Sequence, residues 1–173
     1  MFTIEQVTKE NFKDIPDPCR RCLYWQTDGF SLKDATEETA QQKLKSLLRI
    51  QKDTGNSSGF IAYHNKKPVG FVQWAPAKYF PQAREYEHGP LSEDAAFLVC
   101  LYIRREENRN KGLGTLILKA GISQIRQQGF KAIETFARRS SSDNPSGPLE
   151  FYLKNGFKMR RDGSDFPLVR LEL

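Results

Sequence analysis

Hydrophobic positions recur along this chain in two rhythms, and the change from one to the other marks its elements. A short run at residues 3–7 reads as a first strand. Residues 35–51 then carry Ala40, Leu44, Leu47 and Leu48 at helical spacing, with Asp34 as the expected N-cap and Glu37 placed to close a capping box. Two β runs follow at residues 59–64 and 68–74, joined as a hairpin through Asn65, Lys66 and Lys67. After a proline-punctuated loop, residues 95–103 are apolar without a break, as in a central strand covered on both faces. A helix over 115–128 is expected to present Leu113, Leu116, Ile117, Ala120, Gly121 and Ile125 inward. A strand at 131–136, a short helix at 148–155 stopped by Gly156 and two C-terminal strands complete the pattern. Strands in one layer with helices on both sides predict a mixed α/β (α+β) sheet, and the absence of repeats or linkers predicts one domain over residues 1–173.

Composition narrows the setting. The chain has 173 residues, 38% hydrophobic and 28% charged, with no apolar run near the ~20 residues that span a bilayer. Its N-terminus lacks the architecture of a signal segment, and three cysteines are too few for a disulfide framework. A cytoplasmic protein with reduced thiols, no membrane partner and no bound metal is expected. Cys19 and Cys22 form a C-x-x-C pair, but a structural zinc site needs four ligands and no second pair exists. The net charge of +6 lies wholly in residues 101–173, which carry 14 Lys/Arg against 8 Asp/Glu. That half can steer an anion. It has no basic-aromatic motif or helix-turn-helix, so nucleic acid is not an expected partner.

The stretch Arg109-Asn110-Lys111-Gly112-Leu113-Gly114 joins the buried strand to the helix. Glycines at a strand-to-helix turn let backbone N–H groups close on a phosphate, and the helix N-terminus adds its positive dipole end. The dinucleotide pattern G-x-G-x-x-G and the P-loop pattern are both absent.

The order hairpin, buried strand, R-x-x-G-x-G, helix, strand and Phe151-Tyr152-Leu153-Lys154-Asn155-Gly156-Phe157 resembles the GNAT superfamily of N-acetyltransferases. The hairpin residues Lys67-Pro68-Val69-Gly70-Phe71 look like that family's second-to-third strand junction, and the segment from Asp17 to Trp25 is similar to one in a group of bacterial members. One departure is an extra residue between Ile103 and Arg109.

The resemblance implies a mixed, mostly antiparallel sheet splayed between its fourth and fifth strands. Acetyl-coenzyme A would be the cosubstrate, its pantetheine arm paired with the backbone of Leu101, Tyr102 and Ile103. Its pyrophosphate would be held by Arg109, Asn110, Lys111, Gly112, Leu113, Gly114 and Thr115, with Asn144 on the amide arm. The side chains of Arg109 and Lys111 add charge there, although the same types also serve as solvated loop bases.

The implied reaction is direct transfer of an acetyl group to a primary amine on a small molecule or peptide. Tyr152 takes the general-acid position, since a phenol with a pKa near ~10 suits protonation of a thiolate. The alternative is a silent acyl-coenzyme A-binding module. Trp25, Trp74, Tyr79 and Phe80 are candidates to line the acceptor site, and a homodimer is left open. Glu93, Asp94 and Glu134 are candidate bases, each more readily read as structural. His64 and His88 read as solvated, and Cys100 as a small hydrophobe.

Overall fold

The computed structural model describes residues 1–104, 112–140, 147–163 and 165–173. Seven strands form one sheet in the order β1-β2-β3-β4-β5-β7-β6: β1 Phe2–Gln6, β2 Gly59–His64, β3 Lys67–Ala75, β4 Ala95–Ile103, β5 Ala132–Phe136, β6 Lys158–Arg161 and β7 Leu168–Glu172. Every neighbouring pair is antiparallel except β4 and β5. The hairpin joining β2 to β3 turns through Asn65 and Lys66 with φ of 48° and 65°, the left-handed pair that matches strand twist.

Helix α1 (Glu37–Thr54) begins two residues later than the sequence pattern predicts. Asp34 is taken up by a short 3₁₀ turn, Leu32–Asp34, capped by Ser31. Thr36 therefore becomes the N-cap, and its reciprocal partner is Thr39 rather than a glutamate: Thr39 N–H donates to Thr36 Oγ1 at 3.2 Å, and Thr36 N–H to Thr39 Oγ1 at 2.9 Å. The inward stripe also differs. Ala40, Lys43, Leu47 and Ile50 are buried, while Leu44 and Leu48 are half-buried.

Helix α2 (Leu113–Gln127) buries Leu113, Ile117, Leu118, Gly121 and Ile125. Leu116, expected inside, is exposed and Leu118 takes its place; Ala120 sits at the boundary. A third, short helix, α3 (Leu149–Lys154), precedes β6.

The sheet separates two cores. On one face α1 and the 3₁₀ turns pack Trp25, Leu47, Ile50, Phe71, Phe80, Phe97 and Phe136. On the other, α2 and α3 pack Val72, Trp74, Leu98, Ile117, Ile125 and Tyr152. Among the described residues no helix is long and apolar enough to cross a membrane.

Candidate active site

The centre of the sheet is where its two halves come apart. Strand β4 follows β3 from Ala75↔Phe97 to Gly70↔Ile103, but it pairs with β5 only at Ala95, Ala96 and Phe97. Beyond Phe97 the edge of β4 facing β5 has no backbone ladder. Leu101, Tyr102 and Ile103, expected to meet an extended ligand arm, lie on this stretch and are half-buried. Strand backbone that does not ladder with the next strand can present N–H and C=O groups to an extended ligand.

Within the same stretch β4 carries one residue more than β3. Gln73 pairs with Cys100 and Trp74 with Leu98, so Val99 is a bulge. A bulge bends the strand and re-aims its groups. Here it turns two successive side chains, Val99 and Cys100, into the α1-side core.

The α2 N-terminus lies downstream of that edge. Gly112 is its N-cap with φ of +76°, a conformation costly for a residue with a Cβ, and as a glycine it supplies no side-chain cap. The N–H groups of a helix's first turn and the helix dipole suit an anion. Thr115 is half-buried in the first turn. At Gly114 the need is for space, because a Cβ would lie 3.3 Å from the Phe151 ring. Arg109, Asn110 and Lys111 lie outside the described residues, as does Asn144.

Tyr152 projects from α3 into the α2-side core, where it is 1% exposed and reaches β5 at Thr135. Its ring packs edge-on against Phe151 and Phe157 at 5.4 and 5.2 Å. Its hydroxyl contacts the Thr135 side chain and the Gly147 backbone, and Thr135 Oγ1 in turn donates to the Leu98 carbonyl at 2.8 Å. One hydrogen-bonded chain thus links the phenol to β4 where the ladder ends. Burial pushes the phenol up to about 12, against the opposing pull of its hydrogen bonds to Thr135 and Gly147. The group therefore keeps its proton throughout the neutral and moderately alkaline range.

The candidate bases are otherwise engaged. Glu134 is fully buried and accepts from Ser92 N–H at 2.7 Å, Ser92 Oγ at 3.0 Å, Arg160 at 2.5 Å and Arg170 at 3.0 Å. Asp94 holds Arg170 through two hydrogen bonds of 3.0 and 2.9 Å, and the hydrogen bonds from Arg170 draw its carboxyl below the usual range. These carboxylates tie β5 to β6, β7 and the start of β4. Glu93 is exposed.

The four aromatic candidates divide. Trp25 and Phe80 meet around Phe97, with ring centroids 5.0 and 5.8 Å away. Tyr79 turns outward, 3.3 Å from Asp53 and beside Lys78 and Arg49. Trp74 belongs to the other face, where its Nε1–H donates to Gln128 at 3.1 Å. His64 stacks on Phe2 at 4.4 Å, and the His88 carbonyl accepts from Arg161.

The fold brings together what the sequence keeps far apart. Cys19, Cys22 and Cys100 are all buried and reduced, and Cys100 is near enough to interact electrostatically with Lys43 and Cys22. Burial pushes the Cys100 thiol up to about 11, and that of Cys19 up as well. Among the described residues no cluster of three or more suitable side chains would hold a metal ion. Thr135, Lys43 and Gln73 were not singled out by the sequence pattern. Lys43 carried a signal, because it stands at helical spacing between Ala40 and Leu47 on the inward stripe.

The sequence pattern of the Acetyltransferase (GNAT) family matches residues 19–157. No curated protein matches the chain. Among solved structures it is similar to PaiA N-acetyltransferase from Thermoplasma acidophilum in complex with coenzyme A, at 16% identity and a TM-score of 0.65, covering 100% of this chain and 99% of that one. An N-acetyltransferase from Staphylococcus aureus Mu50 superposes with a TM-score of 0.67 at 14% identity, over 99% and 98% of the two chains. A GNAT family acetyltransferase from Elizabethkingia anophelis with acetyl-CoA bound gives 0.58 at 18% identity, over 99% and 98%. With the family pattern across most of the chain, and a mixed sheet opened between β4 and β5 beneath it, the protein belongs to the GNAT acetyltransferase family, whose cosubstrate is acetyl-coenzyme A.

Proposed function

We propose that the protein moves an acetyl group from acetyl-coenzyme A to a primary amine by direct attack, with Tyr152 as the general acid. The observation that carries this reading is the buried Tyr152 phenol near the point where the β4–β5 ladder ends, linked to Leu98 through Thr135. Acetyl-coenzyme A supplies the activated acyl thioester. The backbone of Leu101, Tyr102 and Ile103 would pair with its extended arm. Gly112, Leu113, Gly114 and Thr115, together with Arg109, Asn110, Lys111 and Asn144, would hold its phosphates and amide arm.

Each residue then has a task set by its surroundings. A backbone N–H on the β4 edge polarises the thioester carbonyl in the manner of an oxyanion hole. Tyr152 Oη holds a proton for the departing sulfur, and its high pKa keeps that proton available at neutral pH. Trp25 and Phe80, packed on Phe97 inside the α1-side core, support this side of the sheet from beneath.

The reading is tested by following thiol release with a broad panel of amines. Wild type is expected to turn over at least one of them, and Tyr152→Phe to lower kcat by about 10²-fold with acetyl-coenzyme A affinity preserved, within the range for general-acid catalysis. Unchanged turnover in Tyr152→Phe would remove the assignment. Tight acetyl-coenzyme A binding with no turnover of any amine would favour a silent binding module.

A further inference from the structure

The groups that meet the Tyr152 hydroxyl come from segments that no sequence motif marks. Thr135 lies on β5 and is buried. Gly147 leads the chain into α3, and backbone bonds fasten it to the end of β5. Arg138 N–H donates to the Gly147 carbonyl at 3.1 Å, Leu149 N–H donates to the Arg138 carbonyl at 2.8 Å, and Arg138 bridges to Pro148. Held there, Gly147 leaves the phenol little room. A Cβ on it would lie 3.0 Å from Oη, 3.0 Å from Cε2 and 3.1 Å from Cζ of Tyr152. At such distances a side chain at 147 displaces the ring by a few tenths of an ångström.

Counting donors gives the directions of these bonds. A threonine hydroxyl has one proton, and that of Thr135 goes to the Leu98 carbonyl at 2.8 Å. Toward Tyr152 it therefore offers lone pairs, and the phenol O–H points at Thr135 in the resting protein. The Gly147 carbonyl is taken by Arg138, which leaves the Gly147 N–H for the phenol oxygen. When the phenol loses its proton, that N–H still donates, and the Thr135 O–H turns from Leu98 to the new charge. Both groups accordingly favour the ionised phenol, against the burial that opposes it. Among the ionisable neighbours, Cys100 on β4 opposes ionisation and Arg138 beyond β5 assists it.

We propose that Thr135 and Gly147 are positioning residues for acetyl transfer: they fix the phenol near the end of the β4–β5 ladder and take up the charge left on Tyr152 Oη when its proton passes to sulfur. The inference rests on the reading of Tyr152 as the general acid. In that step Tyr152 Oη gives its proton to the sulfur as the carbon–sulfur bond breaks and its electron pair moves onto sulfur. The amine nitrogen, newly bonded to the acetyl carbon, releases one proton to water, and the phenolate takes one back from water. Thr135 spans the interval by turning its hydroxyl, which costs no movement of the backbone.

The experiment follows thiol release by the full chain, with acetyl-coenzyme A and an amine that wild type turns over. Thr135→Val is expected to lower kcat about tenfold, the worth of one hydrogen bond to a charged oxygen, with KM for acetyl-coenzyme A unchanged. Thr135→Ser, which restores the hydroxyl, is expected to restore turnover. In the Tyr152→Phe background Thr135→Val is expected to add no further loss, because the charge it serves never forms. Gly147→Ala is expected to lower kcat roughly fourfold, for a few tenths of an ångström against about 10²-fold per ångström of misplacement. Coenzyme A binding by calorimetry checks the fold of each variant, and should Thr135→Val fail it, Gly147→Ala decides by the same split between kcat and KM. Undiminished kcat in the deciding variant, no rescue by serine, or an equal loss in the Tyr152→Phe background would overturn the proposal. The two readings fail apart. If Tyr152→Phe turns over like wild type, the acid itself is lost and its positioning with it; if Tyr152→Phe is slow and Thr135→Val is not, only the positioning fails.

Discussion

The two faces of the sheet bury similar residues and treat their polar atoms differently. Beneath α2, Trp74 donates to Gln128 at 3.1 Å, and Gln128 donates onward to the Ser57 carbonyl at 2.7 Å. Beneath α1, Trp25 is as deeply buried, yet among the described residues its indole N–H has no partner and Gln73 has none at either end. Packing alone does not explain this, since both cores are dense with aromatic and aliphatic side chains. Buried polar groups are normally paired, so the unpartnered Trp25 and Gln73 atoms mark the α1 face as the less completely satisfied of the two at these positions.

The contrast can be broken most forcefully at Glu134, the fully engaged buried carboxylate among the described residues. Glu134→Ala should cost about 3 kcal/mol in chemical denaturation, because it strips the shared partner from Arg160 and Arg170; those arginines are partly solvated, which keeps the loss at the low end for broken buried pairs. A loss below about 1 kcal/mol would mean that the network is dispensable. Trp74→Phe should cost about 1–3 kcal/mol, since it leaves the Gln128 carbonyl oxygen without its donor. Gln73→Met is expected to shift stability by less than about 1 kcal/mol, or to raise it, because no hydrogen bond is lost. If Gln73→Met were the costlier of these two, the two faces would be equally satisfied and the contrast would fail.

A pH titration of stability sharpens the same picture at Tyr152. Its folded value of about 12 lies above the ordinary 10.0, so between those values the unfolded chain has lost a proton that the folded chain still holds. Stability should be fully present below pH 10 and fall as pH rises toward 12. Tyr152→Phe should flatten that part of the profile, as read by denaturant midpoints across the range. A modest effect is expected at Gly112→Ala. Its Cβ would meet nothing, and the left-handed backbone alone should cost about 1 kcal/mol.

The legible parts of the sequence were those where one local pattern has one cause. Nine unbroken apolar residues from Ala95 to Ile103 form β4 with the expected bounds, because both faces of that strand are covered. The same lack of alternation conceals the Val99 bulge, since a run with no polar positions has no phase to slip. The start of α1 moved because Asp34 serves a preceding turn, a competition between two local structures that spacing does not rank. Leu116 and Leu118 exchanged roles because α2 rolls its stripe by a fraction of a turn against a twisted sheet. FYLKNGF marked Tyr152 by resemblance, but its link through Thr135 to Leu98 is tertiary and left no trace in either segment. The gathering of Cys19, Cys22, Cys100 and Lys43 is of the same kind. It joins a turn, a strand and a helix that only the finished fold brings together.

The contact at Gly114 carries a consequence for how this chain can vary. With the Phe151 ring set against its bare Cα, the glycine fixes the distance between the first turn of α2 and helix α3. Phe151 is also the sequence neighbour of Tyr152 and packs against its ring. A methyl group at position 114 would therefore press on the Phe151 ring by a few tenths of an ångström, and through that ring on the phenol it never touches. Residue 114 works as a calibration point, and a substitution there would be felt as a misplaced proton before it was felt as a lost ligand.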